Sequence, residues 1–580
     1  MDTYQKTIGS RLMAFSFIVI VLFFILLYRM VEIGVLQHGH YLALAESQQR
    51  FEKTEMASRG RILVHDSVSD PNSYYPLSFD VKSFSVWAVP NQIRDKQKTA
   101  TDLASLLSLA KSDIFNSIDN SKLYIPPLKR GLTLDQANNI SNKNISGVFI
   151  MPEYNRFYPE GTLASQLLGF VNADGVGNYG VEGHYNSELT GKEGNVVGEK
   201  DTLGRMISML SQTNPQNGTS YVLTIDRSVQ YFVEQKLAKA ITDYQADSGT
   251  VIIMDVKTGG IVAMASQPSF DPNNYKETAN TDPAKFVNPA IANLYEPGSI
   301  FKPLIVSSAL DSGVLTPETE GVFDKSVNVD GYTIHTAENK AFGRENVAQI
   351  LQHSDNVGMV WVGDHLGNDL EYKYISKFGF LDKTGIDLDG ETAGRMPALK
   401  QWRDINRATI TFGQGVSVTP LQMVAAYTAL ANNGKYVYPH VVDKIIYPDG
   451  SEKQIAKQEG EQIVSQKTTE TVREMLYSVV QSGKIIKSLT QGFKVGAKTG
   501  TAQIPKADGG YETNESNLGI FIHSVIGMAP SNDPRFVMLV KLDKPKTAEF
   551  AERTSGPLFG EIASYLLNYH YRIPPTEPIK

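Results

Sequence analysis

The sequence contains no cysteine. That excludes a disulfide framework, thiolate-bound zinc or iron–sulfur centres, and a thiol nucleophile. It also lacks a basic excess: Lys+Arg number 55 against 62 Asp+Glu, a net charge of -7. A nucleic-acid partner usually demands the opposite balance. The 10 histidines show neither His-Glu-x-x-His nor a zinc spacing. No Walker A nucleotide loop occurs. Internal repeats and low-complexity tracts are absent, and the aromatic residues are scattered as in a core rather than gathered into a stacking platform. With 41% hydrophobic and 20% charged residues the composition is that of a globular protein. A chain of 580 residues has room for about three to five domains.

Long hydrophobic runs are equally scarce, and the exception sets the location. Residues 12–28 carry no charge, and Met30, Val31, Ile33, Val35 and Leu36 extend the run. A spanning helix needs about 20 mainly apolar residues, so 12–36 is expected to be a transmembrane anchor. The run exceeds the apolar region of a signal peptide, and the small residues of Ala43-Leu44-Ala45 lie well beyond it, so retention rather than cleavage is expected. Lys6 and Arg11 outweigh Asp2 before the run, which puts the tail 1–11 in the cytoplasm and exports the remainder, although Arg29 dilutes the bias.

Residues 37–245 mix short strands, turns and helices. Phe84, Val86 and Ala88 alternate with Ser83, Ser85 and Trp87 as one strand. Helices are expected over 101–111, 133–142 and, amphipathic, 228–244. Past a boundary at 245–249 the pattern changes. Apolar runs 250–255 and 261–265 flank Lys257-Thr258-Gly259-Gly260, a hairpin signal. A largely helical middle includes a helix opened by Thr419-Pro420 and closed by Gly434. Strands follow over 493–503, 519–528 and 536–542, the last two joined by the turn 530–534. Two strands, inserted helices, then three strands make an α+β layout with one sheet assembled from both ends of 246–572. The proline-rich tail 573–580 is expected to fray.

Three short patterns carry the chemistry: Ser299-Ile300-Phe301-Lys302, Ser354-Asp355-Asn356 and Lys498-Thr499-Gly500. Each is weak alone, since Ser-x-x-Lys recurs at Ser108, Ser-x-Asn at Ser326, and Lys-Thr-Gly at Lys257 and Lys383. Context separates them. Pro297-Gly298 precede Ser299 and a helical stretch follows, so Ser299 sits at a helix N-terminus with Lys302 one turn on. Ser108 and Lys111 read as the solvated face of one short helix, and the other Lys-Thr-Gly sites read as turns. Lys498 continues an alternating strand, with Phe493, Val495 and Ala497 on one face and Lys494, Gly496 and Lys498 on the other. A glycine in a strand marks close approach of a ligand to the backbone. A serine nucleophile needs a neighbouring base. Lys302 serves if neutral, and burial together with the charge of Lys498 favours neutrality. Ser354 can relay a proton to a leaving amine, Asn356 can orient Lys302 and hold a substrate amide, and Lys498 with Thr499 can bind a carboxylate. The N–H groups of Ser299 and Thr501 can form an oxyanion hole. The sum is acyl transfer from an amide whose leaving group bears a carboxylate. His353, next to Ser354, reads as structural.

This chain resembles the class B penicillin-binding proteins, most closely the cell-division (septal) type, over nearly its whole length. The segments 295–303, 379–388, 412–421 and 498–503 are similar to that family's transpeptidase; Arg59-Gly60, Arg156-Phe157-Tyr158-Pro159, Gly180-Val181-Glu182-Gly183 and Thr224-Ile225-Asp226 are similar to its pedestal. Val64-His65 stand where the family usually has an Asp-Arg pair. No glycosyltransferase segment is evident, against class A. The resemblance implies a β-lactamase-like domain (an antiparallel five-stranded sheet with helices on both faces) after a membrane helix and an elongated mixed α/β pedestal. It implies peptidoglycan D,D-transpeptidation at D-Ala-D-Ala stem peptides by Ser299, Lys302, Ser354, Asn356 and Lys498, with Thr499, Gly500 and Thr501 holding substrate. β-Lactams would acylate Ser299. No metal or organic cofactor is implied, and a SEDS-family glycan polymerase and other division proteins are the implied partners. The motifs do not separate an amine from water as acceptor, so a D,D-carboxypeptidase or β-lactam-hydrolysing enzyme stays open, as does a non-catalytic β-lactam-binding scaffold.

Overall fold

Val251, Ile252, Ile253 and Met254 are apolar without alternation, which suits a strand covered on both faces. The computed structural model puts them in the interior of a sheet. It describes residues 2–66, 73–122, 125–200, 206–337, 339–506, 510–513 and 520–578; Gly519 of the predicted strand lies outside them. The chain forms two compact units, one of residues 1–58 with 191–217, the other of 59–190 with 218–580.

In the first unit the helix Asp2–Val31 continues through a π-helical turn, Glu32–Leu36. Its stretch Ile8–Leu36, with a mean hydropathy of 2.5, is the one helix among the described residues long and apolar enough to cross a membrane, and it fits a single-pass anchor. Three antiparallel strands, Arg50–Glu55, Gly194–Lys200 and Met206–Thr213, make this unit's sheet.

The second unit contains α1 (Arg227–Tyr244), β1 (Ser248–Asp255), β2 (Ile261–Gln267), α2 (Lys302–Asp311), α3 (Val347–His353), α4 (Asn356–Lys377), α5 (Pro420–Ala431), α6 (Gln466–Ser482), β3 (Gly496–Gln503), β4 (Phe521–Ala529), β5 (Phe536–Asp543) and α7 (Ser555–Tyr565). The five strands pair antiparallel in the order β2-β1-β5-β4-β3, the layout expected. Val251 and Ile253 pack with Val233 and Leu237 of α1 and with Phe559 and Ile562 of α7. Ile252 and Met254 point the other way, into a core with Leu421 and Val424 of α5. Helices therefore cover both faces, and β3 is left at the edge. Every residue of α5 is buried. Its N-terminus is closed by the reciprocal bonds of Thr419 and Gln422 around Pro420 at the first position.

A second sheet, of seven strands, pairs Ser220–Asp226 in parallel with Ile62–His65 and antiparallel with Val442–Ile446; Tyr74–Ala88 continues it and pairs with Val148–Phe157. Beside it Arg59, Arg156 and Glu182 of the pedestal motifs meet at one buried carboxylate. Glu182 accepts from Arg59 Nε at 2.7 Å and Arg156 Nε at 2.6 Å. Asp80 joins through Arg156 at 3.3 Å and the Arg59 N–H at 2.7 Å. Asp226 caps α1 by accepting from the Val229 N–H at 2.9 Å.

Three local expectations fail. The helix placed at 101–111 runs over Lys96–Leu107, because Ser108 turns left-handed (φ 51) and Lys111 opens a separate helix. Ser108 and Lys111 thus share no helix face. The strand placed from 493 starts at Gly496, although Phe493 and Val495 are buried as their alternation predicts. The described part of the tail, 573–578, is tied down rather than frayed: the Thr576 N–H reaches Gly492 O at 2.8 Å and the Lys494 N–H reaches Thr576 Oγ1 at 2.8 Å.

Candidate active site

Ser299 is half-buried in a 3₁₀ turn, Gly298–Phe301, that feeds directly into α2. Pro303 is tolerated in this first turn because the N–H it removes has no intrahelical partner there. The turn lies against edge strand β3. A Cβ on Gly500 would meet Pro297 O and Ile300 Cγ2 at 3.1 Å, and one on Gly298, which holds φ +61, would meet the Ala502 Cβ at 2.9 Å. Glycine in this strand therefore admits the nucleophile turn, and at Gly496 it admits Leu476 of α6 at 3.1 Å; protein, not a ligand, fills both spaces. From below, the buried Tyr427 of α5 donates its hydroxyl to Ile300 O at 2.6 Å. No sequence signal marked Tyr427, which is one apolar-looking position in an apolar helix.

The Ser354-Asp355-Asn356 segment is the joint between two helices. Ser354 ends α3 in the left-handed region (φ 56). Asp355 opens α4, accepting from the N–H groups of Val357 and Gly358, both at 2.9 Å. Asn356 is pinned from behind by donating to His335 O at 3.0 Å.

Both lysines reach this joint. Lys302 Nζ donates to Ser354 O at 2.6 Å and Asn356 Oδ1 at 2.8 Å, and lies 3.2 Å from Ser354 Oγ. Lys498 Nζ lies 2.9 Å from the same hydroxyl and 3.1 Å from Thr499 O. Lys302 is wholly buried and Lys498 is 2% exposed. Burial drives the Lys302 ammonium well below its ordinary range and the charge of Lys498 drives it further, against the pull of Asp355. Burial alone lowers Lys498 to about 7. A neutral Lys302 has two N–H groups, and the two carbonyl acceptors use both. Its lone pair then faces hydroxyl protons. Ser299 makes no side-chain hydrogen bond among the described residues, and its hydroxyl stands one turn before this amine.

The structure thus gathers Ser299, Lys302, Ser354, Asn356 and Lys498 around one joint. Thr499 and Thr501 are half-buried on the opposite side of β3 from Lys498 and Gly500, and Thr501 Oγ1 accepts from the Ala551 N–H at 3.2 Å. The duplicate patterns stay apart: Lys257 and Thr258 cap the β1–β2 hairpin on Asp255, Thr384 is bound to Glu391, and Ser326 begins a two-stranded ribbon. Among the described residues no cluster of three or more His, Asp or Glu fit to hold a metal is present.

The family model for the penicillin-binding protein transpeptidase domain matches residues 249–564, and that for the penicillin-binding protein dimerisation domain matches 54–223. The chain is 32% identical over 572 residues to stage V sporulation protein D of Bacillus subtilis (strain 168), covering 97% of this chain and 86% of that protein. It is 30% identical over 537 residues to peptidoglycan D,D-transpeptidase FtsI of Escherichia coli (strain K12), covering 91% and 86%. Its fold superposes on penicillin binding protein 3 from Mycobacterium tuberculosis complexed with aztreonam, with a TM-score of 0.69 at 25% identity; 91% of this chain and 99% of that one are covered. A domain that matches over more than half the chain, behind a second domain of the same kind of protein, leaves one conclusion: this chain belongs to the class B penicillin-binding proteins.

Proposed function

We propose that the protein is a serine-type peptidoglycan D,D-transpeptidase that cross-links stem peptides during septal wall synthesis. In this reading Ser299 Oγ attacks the carbonyl carbon of the D-Ala-D-Ala bond while neutral Lys302 takes its proton. The oxyanion rests on the N–H groups of Ser299 and Thr501. The proton passes through Ser354, held between the two lysines, to the nitrogen of the departing D-alanine. Lys498 and Thr499, reaching the free edge of β3 from its two faces, hold the terminal carboxylate, with Thr501 beside the substrate, Gly500 leaving room for the nucleophile turn, and Asn356 holding a substrate amide. An amine from a second stem then attacks the acyl-serine ester, forming the cross-link and freeing Ser299. A β-lactam enters the first half of this cycle as a mimic of the donor.

The observation that carries the reading is the meeting of Lys302 and Lys498 on one Ser354 hydroxyl, at 3.2 and 2.9 Å, beside the Ser299 turn. Burial and the charge of Lys498 both disfavour a second ammonium there, so Lys302 supplies the base. The close packing of Gly298 on Ala502 supports the paired N–H groups of the oxyanion hole. The same reading takes 246–572 as the transpeptidase domain, 37–245 as the pedestal and 1–11 as a cytoplasmic tail. The septal role and a SEDS-family glycan polymerase partner rest on the likeness of the four transpeptidase segments to that subfamily.

The test is intact-protein mass after penicillin, followed by peptide mapping. One adduct on Ser299, absent in Ser299→Ala, is expected; an adduct on another residue would refute the assignment. Incubation with a donor peptide and a labelled D-amino acid separates transfer from hydrolysis, and free acid as sole product would make the enzyme a carboxypeptidase.

A further inference from the structure

The ladder gives Thr501 a neighbour that the mechanism above does not use. His523 of β4 stands opposite Thr501 on one side and opposite Leu542 of β5 on the other, and it is 1% exposed. Leu542 and Val525, which share its face of the sheet, belong to the apolar core under α7. An apolar side chain would fill that place without penalty, whereas a buried imidazole is costly unless its nitrogens are bonded. Nδ1 of His523 lies 2.8 Å from Thr554 Oγ1, a hydrogen bond. Thr554 is wholly buried and joins the 3₁₀ turn Ala551–Arg553 to α7.

The turn leads back to the strand. Its first residue, Ala551, donates its N–H to Thr501 Oγ1 at 3.2 Å. The Ala551 carbonyl is held as well, accepting from the Thr554 N–H at 3.2 Å and the Ser555 hydroxyl at 3.3 Å. Thr501, His523, Thr554 and Ala551 thus close a circuit of one strand pairing and two side-chain hydrogen bonds. Burial pushes the His523 imidazole down to about 4, so the ring is neutral near pH 7 and brings no charge beside the substrate.

The circuit fixes the direction of one proton. A threonine hydroxyl has one proton to give and two lone pairs. The Ala551 N–H occupies a lone pair of Thr501, and no protein group accepts the Thr501 proton among the described residues. Thr501 is half-buried on the strand whose far edge is unpaired. We propose that His523 is a positioning residue: through Thr554 and the Ala551 turn it holds the Thr501 hydroxyl with its proton toward the free edge of β3, where the carboxylate of the bound donor accepts it.

The inference rests on the acylation reading, so the measurement is the second-order rate constant for acylation of the full chain in detergent by a fluorescent penicillin, with intact mass reporting the adduct. His523→Leu keeps an apolar side chain and removes the ring nitrogen; it is expected to lose about tenfold, the worth of one hydrogen bond to a charged acceptor. Thr554→Val deletes only the hydroxyl at the other end of the same bond and is expected to lose as much. His523→Asn, which returns a polar atom near the place of Nδ1, is expected to recover most of the rate. The deciding experiment is a double-mutant cycle: in a Thr501→Val background, His523→Leu is expected to cost nothing further, because both act through one proton. A histidine that only fills space would give losses that add in the cycle, and additive losses overturn the proposal. So does an unchanged rate in Thr554→Val, which decides the matter with its own Thr501→Val cycle should the leucine variant not fold. A parent that takes no adduct on Ser299 would overturn the acylation reading and this inference with it; a parent that acylates while the cycle is additive overturns this inference alone.

Discussion

Two lysines at one hydroxyl are expensive to fold. Lys498 is lowered to about 7 from 10.5 by burial. Between those values the unfolded chain binds a proton that the folded one does not, so unfolding free energy rises with pH across the window and the cost is greatest at and below pH 7. Lys498→Met removes the cost. The variant is expected to be more stable than the parent by on the order of 2–4 kcal/mol at pH 7, with the gap closing toward pH 10, while acylation is lost. Urea denaturation at the two pH values measures it; a gap independent of pH would mean that Lys498 is not the group being neutralised. Ser299 and the residues of the three short patterns were legible from sequence because a helix turn sets Ser299 and Lys302 three apart and a strand sets Lys498 by parity. The meeting of Glu345 with His353 was not, since one lies in the strand before α3 and the other at that helix's far end.

At the scale of elements, the nucleophile turn is clamped between α5 and β3. Tyr427 supplies the clamp from α5 through its bond to Ile300 O. Tyr427→Phe leaves a buried carbonyl without a donor, which costs about 1–3 kcal/mol. We expect a lower midpoint in thermal denaturation and a slower acylation at unchanged pH dependence, because the lysines are untouched. An unaltered acylation rate would show that the turn holds itself. The strands β1, β2 and β5, the cap at Thr419-Pro420 and the amphipathic α1 were readable because burial on two faces, proline at a first helical position and a 3.6-residue period each leave a local trace. The end of the helix at Leu107 was not, because a serine adopting φ 51 carries no such signature.

Across the molecule, three of the four pedestal motifs have a single structural cause. Arg59, Arg156, Asp80 and Glu182 come from distant stretches of sequence and form one buried ion cluster. The Arg59 and Arg156 charges hold the Glu182 carboxyl below its ordinary value despite burial. Removing one member of such a set strands the others, at a cost of about 3–5 kcal/mol. Glu182→Ala is expected to unfold at markedly lower urea, with Ser299 still labelled by penicillin in whatever fraction stays folded. Stability within experimental error of the parent would mean that the two arginines find other partners.

The sequence by itself determined the membrane-length helix, the α+β order of elements and the residues of the three motifs, since all of these are written in runs, periods and spacings along one chain. Only the tertiary structure decided that Lys302 and Lys498 share a hydroxyl, that Tyr427 holds the nucleophile turn, and that His353 meets Glu345. Those are contacts between segments far apart in the chain, and their burial, which shifts the protons, exists only once the segments have packed.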